Sequence, residues 1–205
     1  MEWVDHLYKE TLNKWKEAGS KESGFAIFYS PVRENAKIAI IGYNPGGLET
    51  PDMENIKVPA QHEYVHEKYR LAEKVHKIFK SADLLNELEN SVKFNLIFFR
   101  SQKAHEITNQ DLINYSEQKV LETLERINPK IIIAEGFITY NRLIQLKIAS
   151  ETERVTFNNR TIVKVAKTPA NSFILGIIHP SGARGISDAI LEKMGEIVKN
   201  YLDKV

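Results

Sequence analysis

Two short apolar runs, far apart in the chain, each end abruptly in a polar loop that contains glycine and proline. One loop is Gly-Tyr-Asn-Pro-Gly-Gly at residues 42–47, and the other is His-Pro-Ser-Gly-Ala-Arg at residues 179–184. Apolar runs that end in such loops are typical of buried parallel strands, whose carboxyl ends meet in one crevice of an α/β sheet. We therefore expect Asn44 and His179 to face the same crevice, beside backbone N–H groups that stabilise negative charge.

The rest of the chain alternates between strand-like and helix-like patterns, which predicts an α/β fold. Helical spacing of apolar residues predicts helices over residues 2–18, 62–80, 112–127, 139–146 and 187–202. Buried strands are predicted over residues 36–41, 93–99, 131–134 and 173–178, and a hairpin over residues 154–157 and 161–166. The expected architecture is a single domain spanning residues 1–205, with three α/β/α layers around a central, mainly parallel four-stranded sheet.

Composition narrows the chemistry that this chain can perform. It contains no cysteine, which excludes disulfides, thiolate zinc sites, a cysteine nucleophile and a cysteine-ligated iron–sulfur cluster. The 28 basic and 27 acidic residues nearly cancel, so binding to nucleic acid would need a local basic patch. No apolar run is long enough to span a membrane, and the first residues lack the core of a signal peptide, so we expect a cytoplasmic protein.

The two loops resemble the signature motifs of the uracil-DNA glycosylase superfamily. The pattern Gly-x-Asn-Pro-Gly begins at Gly42, and His-Pro-Ser begins at His179. Between them, residues 93–100 (Lys-Phe-Asn-Leu-Ile-Phe-Phe-Arg) resemble the strand that carries the superfamily's base-reading asparagine, and residues 128–136 resemble its third strand. The resemblance covers most of residues 36–186 and implies the α/β fold of that superfamily.

The motifs combine features of two branches of the superfamily. Gly-x-Asn-Pro-Gly occurs in both the mismatch-specific and the single-strand-selective branches, and His-Pro-Ser resembles the single-strand-selective one. Ser181 and Gly182 followed by Arg184 are instead similar to the mismatch-specific branch. The branches that contain an iron–sulfur cluster are excluded because the chain has no cysteine. The resemblance therefore leaves open which base is removed.

The resemblance implies a DNA glycosylase that hydrolyses the N-glycosidic bond of uracil, or of another deaminated or mismatched base, during base excision repair. Such an enzyme needs no cofactor and no metal ion, acts on DNA after the base has left the stack, and is expected to be a monomer. The residues implied in catalysis are Asn44 and His179. The residues implied in base binding are Gly42, Tyr43, Pro45, Gly46 and Asn95. The residues implied in DNA binding are Gly47, Arg100, Ser181, Gly182 and Arg184.

The residue types suit the bond that would break. As the base leaves, negative charge develops on it, and an N–H donor from His179 would stabilise that charge in the transition state. The side-chain carbonyl of Asn44 would hold the attacking water, although an amide cannot accept a proton as a carboxylate can. Asn95 offers both a donor and an acceptor to a base edge. Gly46 leaves room beside the 5-position of the base, where relatives that are strict for uracil carry tyrosine.

Two other functions are open at this point. Residues 62–66 (His-Glu-Tyr-Val-His) match the His-Glu-x-x-His pattern of zinc metalloproteases, which places two imidazoles on one face of a helix. Such a site would need a third ligand, for which His76, Glu87 or Glu89 can be proposed. The other alternative is a protein of the same fold that binds a nucleobase or nucleic acid without hydrolysis, which the near-neutral charge favours.

Overall fold

A computed structural model describes residues 1–19, 22–46, 52–53, 56–101, 106–146 and 149–205. The strands are β1 Ile38–Gly42, β2 Val92–Asn95, β3 Ile131–Glu135, β4 Ser150–Phe157, β5 Arg160–Lys167 and β6 Phe173–Ile177. The helices are α1 Glu2–Glu17, α2 Glu63–His66, α3 Arg70–Ser81, α4 Leu85–Glu89, α5 Gln110–Ile127, α6 Phe137–Gln145 and α7 Asp188–Leu202. The strands form one mixed sheet in the order β2-β1-β3-β6-β5-β4. The predicted α/β class is therefore confirmed.

Side chains of the central strands alternate between two hydrophobic cores on opposite faces of the sheet. In β1, Ala39 and Ile41 belong to a core that includes residues of α1, α5 and α6. Ile38 and Ile40 belong to a second core, formed with α3, α4 and α7. All five residues of β1 are buried, as expected for a parallel strand that is covered on both faces.

The sheet has six strands within the described residues, rather than the four that we predicted, because the predicted hairpin joins it. β5 pairs antiparallel with β6, and Val163 lies opposite Ile177. Ile162, Val163 and Val165 are fully buried, so β5 buries apolar surface while it pairs the otherwise open edge of β6. β4 forms the outer edge, and most of its side chains are exposed. Charged residues such as Glu153 protect such an edge against pairing with other chains.

The helix predicted over residues 62–80 is interrupted and forms α2 and α3. His62 caps α2, and its Nδ1 accepts a hydrogen bond from the Tyr64 N–H at 3.2 Å. The backbone is extended at Glu67 and Tyr69 before α3 begins. The two helices bury residues in different places. Tyr64 of α2 is buried at the strand ends, while Phe79 packs in the core beneath α3.

The strand predicted over residues 93–99 is regular only as far as Asn95. Beyond it, Leu96 donates from its N–H to the Gly42 carbonyl at 2.8 Å, and Ile97 donates to the Tyr43 carbonyl at 2.8 Å. The segment therefore continues beside the loop that follows β1 without forming a strand. No described helix combines the length and apolar character needed to cross a membrane.

Candidate functional site

Four parallel strands bring their carboxyl ends together at one edge of the sheet. β2, β1, β3 and β6 lie side by side and run in the same direction, with Gly42 opposite Asn95. His179 follows two residues after β6 ends. Ligands bind at such strand ends in open α/β sheets. A cavity of about 450 Å³ lies there, and Asn44, Asn95 and His179 all line it.

The cavity has the size and lining expected of a site for a flat polar molecule. Its volume is within the range of small-molecule sites. The aromatic residues that line it are Tyr29, Tyr43, Tyr64, Tyr69 and Phe137. The polar residues that line it are Asn44, Glu63, Lys93, Asn95, Glu135, Thr139 and His179. Aromatic rings of this kind stack on the faces of bases, while polar groups read their edges.

The loop after β6 holds the imidazole of His179 by a hydrogen bond from the main chain. The N–H of Gly182 donates to Nδ1 of His179 at 2.9 Å. A ring nitrogen that accepts a hydrogen bond carries no hydrogen, so the neutral ring has its proton on Nε2. Gly136 lies close to another side of the ring. A Cβ on Gly136 would be 3.4 Å from Cδ2 of His179. The cavity is therefore lined by an imidazole whose remaining nitrogen is an N–H donor.

The amide of Asn44 is anchored through its nitrogen. Nδ2 donates to the Pro45 carbonyl at 3.0 Å and to Oγ of Ser101 at 2.9 Å. These two bonds use both amide hydrogens. The side-chain carbonyl oxygen is the polar atom of Asn44 that remains, and it is suited to accept a hydrogen bond from a water molecule.

The segment after β2 supports the loop that carries Asn44. Ser101 donates from its N–H to the Pro45 carbonyl at 3.2 Å, and Nη1 of Arg100 donates to the Gly46 carbonyl at 2.7 Å. A Cβ on Gly46 would meet no atom of the described residues within 4 Å. The described residues therefore leave the space beside Gly46 open.

Asn95 ends β2 with its amide enclosed by protein. The residue is 4% exposed. Burial raises the pKa of Tyr29, whereas Arg100 and a hydrogen bond from the Asn95 side chain act to lower it. The Asn95 side chain thus lies near the Tyr29 hydroxyl. Its Oδ1 lies beside Gly42, where any Cβ would collide with it, so glycine is required at this position for close approach.

Glu135 brings a carboxylate into the same cavity from the end of β3. The residue is 4% exposed, and the Tyr64 hydroxyl donates to its Oε1 at 2.6 Å. Burial, followed by the neighbouring Glu135 carboxylate, raises the pKa of Tyr64 well above its usual value. Oε2 of Glu135 lies 3.2 Å from the position that a Cβ on Gly42 would occupy. Two acceptor oxygens, one from Glu135 and one from Asn95, therefore lie against the same glycine.

A buried lysine also lines the cavity. Nζ of Lys93 is 2.8 Å from Oε1 of Glu63, and the two side chains are 5% and 18% exposed. The ammonium group lies 4.1 Å from the centre of the Tyr29 ring and 4.7 Å from the centre of the Tyr64 ring. The ion pair and the two aromatic faces together compensate for the removal of this charge from water.

Among the described residues predicted to bind DNA, none belongs to the lining of the cavity. Gly47 is outside the described residues, and Arg100 supports the Gly46 carbonyl as described above. Arg184 is exposed, and Nη1 of Arg160 donates to its carbonyl at 2.6 Å. Lys74 donates from Nζ to the Pro180 carbonyl at 2.8 Å, close to Ser181 and Gly182 in the chain. Lys74 and Arg160 thus add to the local positive charge of this loop.

The His-Glu-x-x-His match has a structural explanation, and the geometry gives no support to a zinc site. His62 is fully buried, its Nδ1 accepts from the Tyr64 N–H, and its Nε2 is 3.0 Å from Oγ of Ser91. His66 lies 3.6 Å from Glu89. Within the described ranges, no group of three or more His, Cys, Asp or Glu side chains is arranged to hold a metal ion. His62 instead caps a short helix.

Sequence reasoning did not assign Tyr29, Lys93 and Glu135 to the site. A signal for two of them exists, because Lys93 and Glu135 are ionisable residues in strands that are otherwise apolar. A charge in a strand that is buried on both faces needs a specific partner or a function. Tyr29 carries no such signal, since it lies in a segment without a regular pattern.

Comparison with known protein families finds no family that matches this chain. Comparison with curated protein sequences also finds no match. The functional assignment therefore depends on the geometry of the cavity, together with the short motifs that resemble those of the uracil-DNA glycosylase superfamily.

Proposed function

We propose that this protein is a DNA glycosylase that hydrolyses the N-glycosidic bond of an altered base. One observation carries the proposal: Asn44, Asn95 and His179, from the ends of three different strands, line one cavity of about 450 Å³. The cavity combines aromatic rings for the face of a base with polar groups for its edge. A base that has left the DNA stack would occupy it.

His179 would stabilise the departing base. When the C1′–N bond breaks, the base takes the bonding electron pair, and the charge spreads to the ring atoms next to the leaving nitrogen. The Nε2–H donor of His179 is held in place by the Gly182 N–H before any base arrives. A donor that needs no reorganisation stabilises the transition state more than the ground state.

Asn44 would position the water molecule. Its amide nitrogen is held by Pro45 and Ser101, which leaves the carbonyl oxygen to orient a water toward C1′. The water oxygen forms the new bond to C1′, and its proton passes to solvent or to the departing base. The products are a free base and an abasic site. Because an amide is not a general base, we expect a slow enzyme.

The DNA backbone would be held by the loops at the mouth of the cavity. Arg184 is exposed on the loop after β6, and Lys74 and Arg160 contact the same loop through its carbonyl oxygens. The net charge of the whole chain is only +1, so these local cations must supply the attraction to phosphate. We therefore expect binding to DNA that weakens steeply as salt is added.

The proposal is tested by incubating the protein with single- and double-stranded oligonucleotides that each contain one altered base. The panel contains uracil, hypoxanthine, xanthine, 8-oxoguanine and thymine opposite guanine, and abasic sites are detected by cleavage in alkali. We expect abasic sites with at least one member and none with unmodified DNA. The His179→Ala variant provides the matched negative control, and the His6→Ala variant changes an exposed histidine that does not line the cavity.

Two outcomes would contradict hydrolysis. Binding to one of these oligonucleotides without any abasic product would favour the non-catalytic alternative, a protein that recognises a base and leaves it attached. Failure both to bind and to cleave the whole panel would remove the support for any DNA-directed function of the cavity.

A further inference from the structure

Glu135 has a carboxylate oxygen that the proposed reaction does not use. The side chain is 4% exposed, lines the cavity, and receives a hydrogen bond from Tyr64 on Oε1. None of the ion pairs among the described residues involves Glu135. Burying a carboxylate is costly unless hydrogen-bond donors satisfy it. Oε2 is therefore suited to accept a hydrogen bond from a molecule in the cavity.

The second carboxylate of the cavity has its partners within the protein. Glu63 forms an ion pair with Lys93 at 2.8 Å. Its charge is thus balanced by a cation, whereas the described partner of Glu135 is the neutral hydroxyl of Tyr64. This difference identifies Glu135 as the acid that a ligand would contact.

The amide of Asn95 is oriented so that its acceptor lies on the side of Glu135. Oδ1 of Asn95 lies beside Gly42. Oε2 of Glu135 is 3.2 Å from the point where a Cβ on Gly42 would lie, and Oδ1 of Asn95 is closer still to that point. Two neighbouring acceptors recognise a base edge that carries two neighbouring N–H donors.

The order of the strands arranges these groups in a row. Asn95 ends β2, Glu135 ends β3 and His179 follows β6, and the sheet order places β3 between β2 and β6. Along this edge the protein therefore offers an acceptor, a second acceptor and the Nε2–H donor of His179. In guanine the matching groups follow in the same order: the N1–H donor, the 2-amino donor and the N3 acceptor, which is next to the ring carbon that bears N9.

We infer that the cavity is built for a guanine-type base, with Glu135 as the residue that recognises its 2-amino group. This inference rests on the proposed function for the identity of the ligand as a base in DNA. His179 would then donate to N3, where the charge of a departing purine develops. The open space beside Gly46 is consistent with a base larger than a pyrimidine.

Other bases match this row of groups less well. Uracil presents an acceptor, a donor and an acceptor, so its O4 would face Oδ1 of Asn95 and the two oxygens would repel each other. Hypoxanthine has the N1–H and N3 of guanine but no amino group, so Oε2 of Glu135 would have no donor. The repulsion between the two oxygens disfavours uracil, and the unpaired carboxylate oxygen disfavours hypoxanthine.

The test measures the equilibrium binding of 9-methylguanine, 9-methylhypoxanthine and 1-methyluracil to the protein. Binding is detected by saturation-transfer NMR and quantified by calorimetry. We expect the protein to bind 9-methylguanine at least about tenfold more tightly than the other two, as is typical for one hydrogen bond to a charged group. Glu135→Gln should reduce this preference to within about threefold, and Tyr64→Phe should reduce it in part by releasing Oε1. Glu34→Gln, at an exposed glutamate, is the control and should keep the full preference.

Two results would overturn the inference. The first is equal or tighter binding of 1-methyluracil or 9-methylhypoxanthine, and the second is a guanine preference that Glu135→Gln leaves unchanged in a variant with an unaltered melting temperature. Because binding of free bases requires no hydrolysis, this test is independent of abasic-site formation. The preference for guanine and the proposed glycosylase activity can therefore fail separately.

Discussion

The backbone N–H of Gly182 lies 2.9 Å from Nδ1 of His179 and donates a hydrogen bond to it. This hydrogen bond, between two residues three positions apart in one loop, therefore determines which nitrogen of the neutral imidazole carries the proton. The geometry also limits the size of residue 182, because a Cβ there would lie 3.0 Å from Nδ1. The loop thus prepares a donor for the cavity without the help of a ligand.

Replacement of His179 should slow hydrolysis far more than it affects folding. Removing one preorganised donor typically lowers a rate by about 10²–10³. We therefore expect His179→Ala to lose activity by that factor in single-turnover assays on the best oligonucleotide of the panel, with an unchanged melting temperature. Gly182→Ala should lose less, because it displaces the ring without removing it. A rate for His179→Ala within threefold of the parent would contradict the role of this residue.

The Asn44→Asp substitution should destabilise the loop after β1. An aspartate cannot donate, so the bond from Nδ2 to the Pro45 carbonyl would be lost, whereas the Ser101 hydroxyl can instead donate to the carboxylate. The loss of this hydrogen bond costs about 0.5–1.5 kcal/mol, which chemical denaturation can measure. Asn109→Asp is a matched control, since Oδ1 of Asn109 accepts hydrogen bonds at the start of α5 and aspartate caps helices equally well. Equal stability of the two variants would contradict this account.

A tyrosine at position 46 should restrict the choice of base. The space beside Gly46 is open in the described structure, so a ring there would project over the cavity. We expect Gly46→Tyr to lower the rate on purines and on 5-substituted pyrimidines by at least about tenfold, as a steric clash with the substrate does. Gly46→Ala should have a much smaller effect. A variant with tyrosine that keeps the whole substrate range would show that the base lies elsewhere.

His62 should make the protein less stable as the pH falls. Burial, followed by the charge of Lys93, lowers the pKa of His62 from 6.5 to about 4. Between these values the unfolded chain binds a proton that the folded protein does not, so the free energy of unfolding decreases as the pH falls from about 6.5 to about 4. The full effect is about 3 kcal/mol.

Denaturation at pH 7 and pH 4.5 measures this dependence, and His62→Asn should reduce it while keeping a residue that caps α2. His6→Asn changes a histidine whose side chain is 72% exposed and should leave the dependence unchanged. The same pH dependence in the parent and in His62→Asn would show that other groups cause it.

The ion pair between Lys93 and Glu63 should show strong coupling. Lys93→Met leaves a mostly buried carboxylate without its cation, and breaking such a pair costs about 3–5 kcal/mol. Adding Glu63→Gln should recover part of this loss, which a double-mutant cycle measures directly. Lys193→Met removes one partner of an exposed pair and should cost less than about 1 kcal/mol. Additive effects at Lys93 and Glu63 would contradict the coupling.

The strand ends that form the site could be anticipated from the order of residues alone. Buried parallel strands need continuous apolar runs, and the loops that follow them must contain residues that turn the chain sharply. For this reason Asn44 and His179 could be assigned in advance to one edge of the sheet, whereas the place of Asn95 in the site followed only from the resemblance to the glycosylase superfamily. They line one cavity, although their catalytic roles are still a proposal.

The extent of the sheet and the chemistry of the cavity floor depend on contacts between distant parts of the chain. β5 joins the sheet because the edge of β6 needs hydrogen-bond partners and because Val163 and Val165 can be buried there. The Tyr64 hydroxyl contacts Glu135, which lies 71 positions away in the sequence. No local pattern specifies which strand edge pairs with another strand or which buried charged residue is hydrogen-bonded. These outcomes depend on the burial and desolvation of groups that meet only after the chain has folded.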